Sequence, residues 1–207
     1  MDWIERLKIQ AHDPERAVQN FVNSNVKDQT GKLYRPIANP PASLEMIHDF
    51  ERTFTLNFPN DLRRIYLEVG NGGFGPSYGL LPISESVDIT RQKFRAAQTI
   101  VEFYYCFRYE AREGYEREWS RYLLPFCSHG CDGLTVVDLR DELVGFIQHE
   151  ILEKEPIDNI IEWHKTSIKS WFEAWMAGED LSGYSKNFWK NHLDKLFLLH
   201  HPVGNYS

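Results

Sequence analysis

Three short runs, at 122–127, 134–139 and 143–148, constrain this chain more than any other feature. They are rich in leucine, β-branched or aromatic side chains. The residues between them are turn formers, Gly130, Asp132-Gly133 and Arg140-Asp141-Glu142. Strands this short, joined by such connections, pair as an antiparallel meander. A fourth, shorter strand is expected at 79–83, where Pro82 confines it to an edge or a strand end.

Helical patterns lie before and after these runs rather than between them. Ser43 can cap a helix in which Ile47, Phe50, Glu51 and Phe54 share a stripe with Leu44, closing near Thr55. Pro59 and Asp61 open a second helix, with Leu62, Ile65, Tyr66 and Val69 at i, i+3, i+4 and i+7. It ends in the glycine-rich run from Gly70 to Gly75, whose residues tolerate a positive φ and can reverse the chain. A loosely periodic helical stretch is expected at 85–118. Ser167 can cap a helix carrying Ile168, Trp171, Phe172 and Trp175, ended by Gly178, and Phe188 to Phe197 mark a last helix. At the N-terminus, Asp13-Pro14-Glu15 starts a helix with Ala17, Val18, Phe21 and Val22 on one face. Segregated helices and strands of this kind make an α+β fold, a small antiparallel sheet with helices packed around it.

The 207 residues, 42% hydrophobic and 14% aromatic, supply enough apolar surface for a core that needs no disulfide or metal staple. The chain reads as one domain over 1–207, in which 1–35 is a helical N-terminal extension and 179–207 a C-terminal one. Cys106, Cys127 and Cys131 are too few and odd in number for a disulfide framework, the first residues are charged, and no run suits a membrane span. A cytoplasmic protein is expected. The net charge of −7 is concentrated at 36–90 and 125–165, the latter holding nine acids against three bases. Such a surface repels phosphate backbones and attracts basic partners. The arginines 108, 112, 117 and 121 alternate with glutamates and make a poor nucleic-acid stripe.

Candidate chemistry is sparse. Gly75-Pro76-Ser77-Tyr78-Gly79 satisfies GxSxG, with Asp138 and His164 following in the order a serine hydrolase needs. That elbow requires a strand before the serine and a helix after it, however, and here the order is reversed. The glycine run ends a helix instead of opening one, so it reads as a turn and not as a phosphate cradle. Cys127, His129 and Cys131 stand at alternate positions, where an extended segment would align them. A zinc site needs a fourth ligand that no second CxxC or HxxxH supplies. The acids at 138, 141 and 142 read as a solvated turn, and the Trp171, Phe172, Trp175 cluster as core. Neither a catalytic set, a metal site nor a cofactor is assigned.

The order of these pieces resembles the SMI1/KNR4 family of the SUKH superfamily. Ile47-x-x-Phe50-Glu51, Phe58-Pro59-x-Asp61-Leu62, Tyr66-Leu67-x-x-Gly70-Asn71-Gly72-Gly73 and Gly79-Leu80-Leu81-Pro82-Ile83 carry the likeness. Leu124-Pro125-Phe126, Gly130-Cys131, Val137-Asp138-Leu139, Gly145 and Ser170-Trp171-Phe172 extend it over 43–178. The resemblance implies Pro59, Asn71, Gly72, Gly73 and Trp171 as structural signature residues, an α+β fold and no established catalytic constellation. It also implies a role like that of bacterial immunity proteins, which neutralise a cognate toxin, often a nuclease. Fungal relatives, which act in cell-wall synthesis signalling, supply the alternative of a regulatory scaffold, and a hydrolase using Ser77 is the remote third. With the acidic segments, the expectation is a stoichiometric inhibitor of a basic toxin domain, with Asp132, Asp138, Asp141, Glu142 and Glu150 contributing to the contact.

Overall fold

A computed structural model describes residues 1–17, 37–84, 99–109, 120–130, 133–148, 161–179 and 181. Helix α1 (Trp3–Ala11) begins where the Asp2 carboxylate accepts the Trp3 N–H at 2.8 Å. It places Trp3, Ile4, Leu7 and Ala11 in the core. This helix precedes the first one expected, at Asp13, where the described residues form a hydrogen-bonded turn over 13–17; the remainder of that expected helix lies outside the described residues.

Helix α2 (Leu44–Phe54) is capped by the Ser43 hydroxyl, which accepts the Met46 N–H at 3.1 Å, and it closes on Thr55 in the left-handed region. Ile47, Phe50 and Phe54 are buried as the stripe requires, whereas Leu44 is exposed. Helix α3 (Asn60–Arg64) follows Pro59 and widens into a π-helical turn, Ile65–Val69. The Gly70 N–H reaches back to Ile65, so the Tyr66 carbonyl loses its intrahelical partner and accepts the Ala42 N–H at 2.9 Å instead. A buried carbonyl must be paired somewhere, and this bond ties the segment before α2 to the end of the second helix. Leu62, Ile65, Tyr66 and Val69 are all fully buried. Helix α4 (Ile100–Tyr109) lies within the expected helical stretch, of which 85–98 and 110–118 fall outside the described residues.

The sheet is an antiparallel meander of β1 (Gly79–Leu80), β2 (Leu123–Gly130), β3 (Gly133–Asp138), β4 (Leu143–Gln148) and β5 (Ile161–Ser167), in that spatial order. The three expected central strands and the edge strand are present, with β1 shorter than its sequence suggested. Strand β5 was not foreseen. Its residues Glu162, His164 and Lys165 are polar or charged, and it is pairing with β4, Gly145 opposite Trp163, that fixes it as a strand. A Cβ at Gly145 would come within 2.6 Å of Ile161 and 2.9 Å of the Trp163 ring, so glycine makes room for both side chains there.

Ser167 caps α5 (Ile168–Met176), and Gly178 follows with φ +90°, as the sequence indicated. Trp171, Phe172 and Trp175 are buried, and the Trp171 ring stands edge-on to Phe126 at 5.3 Å. Phe50, Phe54, Phe58, Tyr66 and Tyr104 form a second aromatic group, with centroids 4.8 to 6.2 Å apart in successive tilted or edge-on contacts. Such pairs add about 0.5–1.5 kcal/mol each beyond the area they bury. Helix α1 is pinned to this body by Arg6 with Glu173 of α5, by Asp2 with Arg64 of α3, and by the His12 Nε2 to the Val69 carbonyl at 2.9 Å. The last expected helix, from Phe188, lies outside the described residues.

Candidate functional site

The glycine-rich connection between the π-helical turn and β1 is built from close approaches. At Gly70 a Cβ would meet the Asn39 carbonyl oxygen at 2.6 Å; at Gly72, with φ +79°, it would meet Leu80 O at 2.7 Å. No other residue fits both the space and the left-handed backbone at Gly72. Asn71 holds the turn together: its side-chain oxygen accepts the Ile83 N–H at 2.8 Å, and its carbonyl accepts from the Asn39 amide. Of the residues named by the resemblance, Asn71 acts here as a staple and Gly72 as a backbone spacer. Pro59 sits buried at the start of α3, and Trp171 in the core with its indole N–H unpaired among the described residues.

This loop delivers Ser77 to the sheet. Ser77 has φ +56° and is fully buried, and its hydroxyl lies 2.7 Å from His129 Nδ1. On the other side of the ring, Nε2 lies 2.6 Å from the Thr135 hydroxyl of β3. Each ring nitrogen faces a hydroxyl, which can donate or accept, so a neutral imidazole is satisfied in either tautomer. The Ser77–His129 contact is one that residue spacing alone did not suggest.

Chemically the triplet is a poor nucleophile. It has a serine in a left-handed turn beside a histidine, but the third member is a threonine and not the carboxylate of a catalytic triad. Ser77 and His129 are 0% and 2% exposed, and no substrate carbonyl can reach the hydroxyl. The sequence order Ser77, Asp138, His164 does not assemble: the histidine that meets Ser77 is His129, and Asp138 bonds Arg140.

The regular ladder carrying Cys127 and His129 is also interrupted. Register shifts interrupt the β2–β3 ladder between Pro125 and Cys127 and between Ser128 and Gly130. The Cys127 thiol lies 3.6 Å from the Pro76 carbonyl, and burial pushes its pKa up, which favours the neutral thiol over a metal-binding thiolate. His129 has both nitrogens occupied, and Cys131 lies outside the described residues. Among the described residues no three His, Cys, Asp or Glu side chains gather as a metal would need, and no helix is long and apolar enough to cross a membrane.

Of the five acids proposed for partner contact, the structure corrects one. Asp138 is only 3% exposed and is not part of a solvated turn. It accepts the Arg140 N–H and two guanidinium bonds, Nε at 2.9 Å and Nη2 at 2.5 Å. Burial opposes its ionisation, but the hydrogen bonds and charge of Arg140 outweigh that and hold its pKa below the ordinary carboxylate value. The residue exposed in its place is Arg140, whose guanidinium also lies 5.3 Å from the centre of the Tyr122 ring, with Arg121 at 4.9 Å from the same ring. Asp141 is exposed at the β3–β4 turn and caps it by accepting the Leu143 N–H; Glu142 is half-buried there with φ +58°. Asp132 and Glu150 lie outside the described residues.

The loop before β1 also exposes a side chain to solvent. Tyr78, between buried Ser77 and buried Gly79, is 43% exposed. A family model, SMI1 / KNR4 family (SUKH-1), matches residues 41–178, well over half of the chain. No curated protein gives a significant match.

Proposed function

The chain belongs to the SMI1/KNR4 family (SUKH-1), and on that premise we propose that it is a non-enzymatic protein-binding domain of the immunity type. It neutralises a cognate bacterial toxin, a basic domain such as a nuclease, by forming a stoichiometric complex. The observation that carries this reading is the fate of Ser77 and His129. The serine–histidine pair found among the described residues is sealed in the interior and spends hydrogen bonds on holding a loop to the sheet. What remains at the described surface is contact chemistry, charged and aromatic groups on rigid turns.

The excess of acid supplies long-range steering of a basic partner, with Asp141 and Glu142 contributing at the β3–β4 turn and Asp132 and Glu150 adding to the negative charge of the chain. Asp138 acts indirectly, by fixing Arg140. This function calls for no cofactor, and the protein works in the cytoplasm.

The test is a titration of the purified chain into the toxin domain encoded by the reading frame beside its own. Toxin activity should vanish at one equivalent. Replacing Asp141 and Glu142 by lysine should slow association and flatten its dependence on salt. Undiminished toxin activity at excess inhibitor would overturn the reading, as would turnover of a substrate by the chain alone.

A further inference from the structure

We draw no further inference here: the strongest candidate, the surface hollow at the C-terminal end of α2 lined by His48, Glu51, Arg52, Thr55, Leu56 and Asn57, carries both signs of charge, each already paired, Glu51 with Arg63 and Arg52 with Asp49, and nothing in the structure shows what would cover it.

Discussion

Helix α1 lies wholly outside the span matched by the family model, yet its apolar face is inside the core, and truncating that face tests whether the helix belongs to the folding unit. Leu7 is fully buried, whereas Ile9, two residues on, is 51% exposed. Removing a buried leucine side chain costs its transfer free energy plus the cavity it leaves, about 2–5 kcal/mol. The exposed control Ile9→Ala should change stability by no more than about 0.5 kcal/mol. With a urea slope of roughly 2 kcal/mol/M, Leu7→Ala should lower the midpoint by about 1–2.5 M. The melting temperature should fall by roughly 5–15 °C. The ion pairs of α1 add little to this, because Arg6–Glu173 and Asp2–Arg64 are open to solvent and screened by it. Urea unfolding followed by tryptophan fluorescence, with the slope held equal across variants, is the appropriate assay. If Leu7→Ala and Ile9→Ala unfold at the same midpoint, α1 is a detachable lead-in and the packing argument is wrong.

Three further outcomes follow from the hydrogen-bond and charge geometry. Ser77→Ala leaves a buried ring nitrogen without its hydroxyl and should cost about 1–3 kcal/mol in a urea melt; native protein should also resist labelling by a fluorophosphonate, and rapid labelling at Ser77 would show that the site opens. The pKa of Asp138 is lowered on folding, so its stabilising contribution is complete above the unfolded carboxylate value and disappears as pH falls through the folded one; the stability gap between wild type and Asp138→Asn should therefore close in strongly acidic buffer, and a gap independent of pH would refute the assignment. Burial lowers the pKa of His164, with Glu162 partly opposing, so the folded state binds its proton less readily than the unfolded one; stability should decline as pH falls below about 6.5, and His164→Gln should flatten that decline when melting temperature is plotted against pH.

Much of the fold was legible because its signals are local. Ser43 and Ser167 cap the helices they were expected to cap, since a hydroxyl three residues before an N–H acts within one turn of chain. The apolar spacing of Leu62, Ile65, Tyr66 and Val69 placed the second helix, and the β-branched and aromatic runs placed β2, β3 and β4. Helix α1 was readable too. Asp2 as cap and Trp3, Ile4, Leu7 and Ala11 at helical spacing are local signals of the same kind.

Other features were beyond any reading of the chain in order. Strand β5 owes its state to hydrogen bonds with β4, and its own residues scarcely alternate. Ser77 and His129 are 52 positions apart, and a pattern of residue types carries no information about which histidine a loop will meet. Asp138 sits in a sequence that reads as a solvated turn, and only the packing of the finished sheet withdraws it from water and leaves Arg140 and Tyr78 outside. Sequence determined the elements, because propensity and capping act between near neighbours. The tertiary structure decided which polar groups are spent on holding the fold and which face a partner, because burial is set by contacts between segments far apart along the chain.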